Sequence, residues 1–172
     1  MKSRKKLFLW IGIGVFMTLT ITGVSIAVNI RNNLRQQSVD QKALYTQYAK
    51  DITDQAPTII NDAVVQTSCA GIPCGDKLVL KLYMKNDRIE DLALGTKIVI
   101  AYLVKHAPNS SGYTVILYLG DSADDTKQTM VKRETIKNIA TSLEITNYTT
   151  SLNNITISAA EATALVERFG ES

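Results

Sequence analysis

Histidine is almost missing from this chain. His106 is the only one in 172 residues, and Cys69 and Cys74 are the only cysteines. One His and two Cys cannot close a four-ligand zinc site. No Gly-x-Ser-x-Gly elbow is present, which removes the usual signature of acyl transfer. Acidic residues are absent before Asp40, and Leu7 to Ile30 carries no charge of either sign. No internal repeat or low-complexity tract divides the rest, so residues 31–172 read as one domain.

What the first residues do contain is positive charge. Lys2, Arg4, Lys5 and Lys6 precede the uncharged run LFLWIGIGVFMTLTITGVSIAVNI, which is 24 residues long. A helix rises about 1.5 Å per residue and crosses a bilayer core in about 20 residues, so this run suffices. The four cations outweigh Arg31 and Arg35 on the far side, which places residues 1–6 in the cytoplasm and exports the remainder. The expected product is a single-pass signal anchor in the cell membrane with an extracytoplasmic domain. Cleavage after Ala27, at the small-x-small sequence Ser25-Ile26-Ala27, is the alternative, and it would release a secreted factor. Gly14, Thr18 and Thr22 fall four apart, a spacing that lets two spans pack closely and self-associate.

The pI near 8.8 suggests a basic protein, but the charge is unevenly placed. Four of the 19 Lys and Arg precede the span, leaving 15 against 16 Asp and Glu, a formal charge of −1 for residues 31–172. With no cationic stripe, the outer domain is not expected to bind nucleic acid.

Hydrophobic periodicity predicts an α+β domain with a mainly antiparallel sheet and packed helices. A helix is expected over 39–55, stopped by Pro57. Strands are expected at Ile59–Thr67 and Lys77–Lys85, the second alternating Leu78, Leu80, Leu82 and Met84 with lysines. A short helix at Asp87–Leu94 closed by Gly95 comes next, then strands at Lys97–Lys105 and Tyr113–Gly120, both β-branched and aromatic. One long helix from Asp87 to Lys105 is the competing reading, and Gly95 with Thr96, Ile98, Val99 and Ile100 weighs against it. Ser122-Ala123-Asp124-Asp125 and Ser158-Ala159-Ala160-Glu161 are capping boxes expected to open two further helices. Short strands are expected between them at Leu143–Tyr148 and Asn154–Ser158. In the last helix Ala162, Leu165, Val166 and Phe169 should face the sheet.

Cys69 and Cys74, with Ala-Gly-Ile-Pro between them, predict a disulfide in an exported domain. Four intervening residues do not match the C-x-x-C spacing of redox pairs. His106, near Ser110 and Ser111, is the one residue on which an exported enzyme could be built. Asp121, Asp124 and Asp125 lack the EF-hand spacing for Ca²⁺ and read as charges at a helix start. Tyr83, Tyr102, Tyr113 and Tyr118 read as core or sheet-face residues. No cofactor or metal is expected. A span, an amphipathic helix and a small sheet with a disulfide loop together resemble the layout of pilins and of single-span subunits of secretion or conjugation machines. The Gly-aromatic processing site and the Glu of a pilin span are both missing here. The residues therefore suggest a non-enzymatic binding or assembly module at the cell envelope, its partners being the membrane and other envelope proteins or a second copy through the span.

Overall fold

A computed structural model describes residues 36, 38–67, 77–123 and 127–170. The span at 7–30, the Ala27 site, the Cys69–Cys74 loop, Asp124 and Asp125 lie outside the described residues. Among the described residues, no helix is long and apolar enough to cross a membrane. Two compact units divide the chain after Ala43. Of the first, residues 36 and 38–43 are described and helical, with Gln36 Nε2 donating to Asp40 Oδ1 at 3.0 Å.

The second unit is α+β, with a mixed, mostly antiparallel sheet. Within this unit helix α1 (44–55) buries Tyr48 and Ile52, four apart on one face, and ends before Pro57. A turn leads to β1 (Ile60–Thr67), which pairs antiparallel with β2 (Lys77–Met84). The helix α2 (Ile89–His106) then carries the chain to β3 (Gly112–Leu119), which lies parallel to β2. A two-residue strand, β4 (Thr129–Met130), pairs with the end of β3, and α3 (Arg133–Ser142) follows. The hairpin β5 (Tyr148–Thr150) and β6 (Asn154–Ser158) joins β3 through β6, and α4 (Ala159–Gly170) closes the fold. The strand order is β1-β2-β3-β6-β5.

The stretch expected as a strand at Lys97–Lys105 is helix, continuous with the segment before it. Leu92, Gly95, Thr96, Val99, Ile100, Tyr102 and Leu103 are buried, a helical stripe that outweighs the β-branched propensity of the run. Thr96 satisfies its buried hydroxyl on the Leu92 carbonyl at 2.8 Å. Gly95 does not end the helix but lets it approach β2. A Cβ there would lie 2.8 Å from Met84 Cε and 3.3 Å from Leu82 Cδ2. Glu90 and Asp91 open α2, and Lys105 and His106 close it, matching the helix dipole.

Two further expectations change. No helix starts at Ser122, because residues 129–131 are taken by the sheet: Met130 pairs with Tyr118, and Val131, buried, donates to the Leu117 carbonyl. Gly120 makes the bend before that segment with φ 112°, and a Cβ there would meet the Lys127 carbonyl at 2.5 Å. Of the strand expected at Leu143–Tyr148 only Tyr148 is strand, as the first residue of β5, and Leu143–Ile145 form the C-terminal stop of α3. Glu144 N–H donates to Thr141 O and Ile145 N–H to Ala140 O, with Glu144 at φ 56°. That is the Schellman arrangement with Glu where Gly usually stands.

Among the described residues of this unit, α1, α2, α3 and α4 lie on one side of the sheet. Ala63, Val65, Leu78, Leu80, Leu82, Tyr113, Val115, Leu117, Ile155 and Ile157 point into a core completed by Ile52, Leu92, Leu103, Ile136, Ile139 and Leu165. Phe169, expected in that core, is half-buried at its margin under the Lys97 ammonium, 4.5 Å from the ring centroid.

Candidate functional site

His106 ends α2 and does not follow a strand. It is exposed, its Nδ1 lies 2.9 Å from the Tyr102 carbonyl, and its ring stacks on Tyr102 with centroids 4.0 Å apart. The tyrosine hydroxyls around it bond to groups other than its ring. Tyr48 Oη donates to the His106 carbonyl at 2.7 Å, Tyr113 Oη to the Ala107 carbonyl at 3.0 Å, and Tyr102 Oη to Asp51 Oδ2 at 2.6 Å. Burial, then the Asp51 hydrogen bond, pushes the Tyr102 hydroxyl far above the phenol range. The Tyr102 bond and then that of Gln47 hold Asp51 below the usual carboxylate range. These contacts satisfy carbonyls at the end of α2 and tie α1 and β3 to it. Ser110, buried, donates to the Gly112 carbonyl at 2.8 Å. His106 and Ser110 are each engaged with backbone carbonyls, a turn-fixing arrangement.

Asp121 Oδ1 accepts from the Ala123 N–H at 2.9 Å, closing a local turn. Among the described residues, no group of three or more His, Cys, Asp or Glu could hold a metal. The four tyrosines divide by face. Tyr102, in α2, and Tyr113 lie in the core, whereas Tyr83 and Tyr118 stack on each other across β2 and β3 with centroids 5.2 Å apart.

Glu161 is the residue that spacing alone misassigns. Ser158 does cap α4, its Oγ accepting from the Glu161 N–H at 3.2 Å. The Glu161 carboxylate turns away from the cap into a nearly closed site. It accepts from Thr146 N at 3.1 Å, Thr146 Oγ1 at 3.3 Å and Asn147 Nδ2 at 3.3 Å, with Arg168 Nη2 at 3.8 Å. The Thr146 backbone N–H chiefly holds its carboxyl below the usual range, against the opposing effect of burial. This fastens the segment leading into β5, which walls a cleft of about 400 Å³ lined by Lys77, Ser111, Asn147, Thr149, Thr156 and Ser158.

The side of the sheet opposite the helices is only partly covered. Its residues form rows across the strands: Asp62, Tyr83, Tyr118 and Met130; then Val64, Lys81, Ile116 and Asn154; then Gln66, Val79, Thr114, Thr156 and Thr149. Thr114 and Thr156 share a hydroxyl hydrogen bond at 2.9 Å. Met130 is 52% exposed and Val64 37%, beside half-buried Val79, Ile116 and Tyr118. Such a face encloses no reacting group. Tyr83 is buried, so the exposed apolar area comes from Met130 and Val64 with the half-buried Val79, Ile116 and Tyr118, Lys81 lying among them and Asp62 beside Tyr83. The alternation in β2 foretold its wet lysines; β4, which brings in Met130, gave no signal in a two-residue strand. No protein-family model, curated protein or solved structure matches the chain.

Proposed function

We propose that this chain is a single-pass membrane-anchored protein whose outer domain is a non-enzymatic binding or assembly module of the cell envelope. The observation that carries this reading is the partly exposed sheet face, where half-buried Tyr118, stacked on the buried Tyr83, adjoins Met130 and shares the face with Val64. Aromatic and Met side chains are enriched in protein interfaces. The uncharged Leu7–Ile30 run with its cationic flank supports the anchor and the orientation.

The test has two arms. A tag at residue 1 should stay protected from external protease in intact cells while a tag at residue 172 is digested. Partners captured by the detergent-solubilised full chain should be lost in the double variant Tyr118→Ser, Met130→Asp, with the domain's melting temperature lowered only slightly. Equal capture by both proteins would assign binding elsewhere, and reversed protease protection would refute export.

A further inference from the structure

At the Lys77 end of the open sheet face lies the cleft of about 400 Å³ that the segment into β5 walls. Lys77, Gly112 and Ser158 stand side by side on β2, β3 and β6, and Gly112 contributes no side chain between its neighbours. Thr156 and Thr149 follow in the next row, on β6 and β5. Glu161, buried behind Thr146 and Asn147, has both carboxylate oxygens engaged by them and so holds that wall in place. No Asp or Glu lines the cleft itself, and Lys77 is its one charged lining residue.

The polar groups here are not all spent on the fold. Among the described residues, the side chains of Lys77, Ser111 and Thr149 have no hydrogen-bond or ion-pair partner. Ser158 Oγ accepts from the Glu161 N–H and keeps its own hydrogen to donate. Asn147 gives its amide hydrogens to Thr146 and Glu161, which leaves Oδ1 as an acceptor. One ammonium, three hydroxyls and an amide oxygen match a ligand with one anionic group and several hydroxyls. An apolar ligand would leave these groups unpaired, and a cation would meet Lys77 with no carboxylate in the lining to offset it. A bare anion would use the donors but not the Asn147 acceptor. The volume falls within the roughly 300–1,000 Å³ usual for small-molecule sites. We propose that this cleft binds an acidic sugar, with Lys77 on its carboxylate or phosphate and Ser111, Asn147, Thr149 and Ser158 on its hydroxyls. This goes beyond the sheet-face reading and does not depend on it.

The experiment follows backbone amide shifts of the full chain in detergent by NMR as glucuronate, glucose 6-phosphate, glucose or inorganic phosphate is added. Amides of Ser111, Thr149 and Ser158 should shift saturably with at least one acidic sugar, and which one responds distinguishes carboxylate from phosphate. Glucose, and phosphate alone, should each bind about tenfold more weakly than that sugar, because each lacks part of the contacts. Lys77→Gln should bring the acidic sugar down to the affinity of glucose. Thr149→Trp, which fills the cleft, should remove the saturable shifts altogether. Both positions are exposed, so both variants should melt near wild type. The Tyr118→Ser, Met130→Asp variant should bind the sugar as wild type does while losing captured partners, so the two readings fail separately. No saturable shift with either acidic sugar would overturn the inference. So would equal binding of glucose or of phosphate alone, an unchanged preference in Lys77→Gln, or shifts that survive Thr149→Trp.

Discussion

Glu161 was read from spacing as half of a capping box, and only the Ser158 half of that box exists. Its carboxylate instead binds Thr146 and Asn147, fifteen and fourteen positions earlier, a partnership no local pattern announces. The consequence is a pH dependence with a definite sign. A carboxyl held below its unfolded value, about 4.3 for Glu, adds stability that is complete above that value and is lost as pH falls through the folded value. Glu161→Gln should therefore melt below wild type at pH 7, and the gap should close as pH drops from about 5 to 3. Thermal melts of both proteins across that range decide it; a constant gap would mean the charge itself contributes nothing.

Among the elements, α3 makes an unusual ending. Glu144 occupies the left-handed position of a Schellman stop, where a side chain costs about 1–2 kcal/mol relative to a residue without one. Glu144→Gly should raise unfolding stability by about 0.5–1 kcal/mol, after the greater chain entropy of Gly and the loss of an exposed ion pair to Arg168 are deducted. Urea titration measures this directly. The stop also shows why the sequence misled at Leu143–Tyr148: a strand-like Ile-Thr-Asn-Tyr follows the helix, and the αL turn that separates them uses no Gly. In α2 the error had the opposite source. The β-branched run Ile98-Val99-Ile100 favours strand by propensity, yet Leu92, Gly95, Thr96, Val99 and Leu103 already held the helical period that burial selects. Where period and propensity agreed, as in β1, β2, β3, β6 and α4, the elements were legible to within a residue or two. The candidate face was legible only in the alternation of Lys77 and Lys81 with leucines. Its Tyr83–Tyr118 stack depends on the parallel register of β2 and β3, which pairing alone supplies.

At the scale of the whole molecule, β3 is the strand on which the sheet converges, touching β2, β4 and β6. Its neighbour β2 ends at Met84, and β3 begins only at Gly112, with α2 between them. That ordering sets a sequence of events. As the chain emerges, the β1–β2 hairpin can close early, but its inner edge stays open until α2 and β3 are complete. Pairings separated by so much chain require loop closure before they return energy, so the β2–β3 junction should form the folding nucleus. Leu117→Ala, at the buried centre of β3, should slow refolding, while Leu165→Ala in the last helix should chiefly accelerate unfolding. Stopped-flow chevrons of the two variants separate these outcomes. A nascent chain interrupted before Gly112 is left with a hairpin exposed along both edges, and for that interval the protein is most open to misassembly.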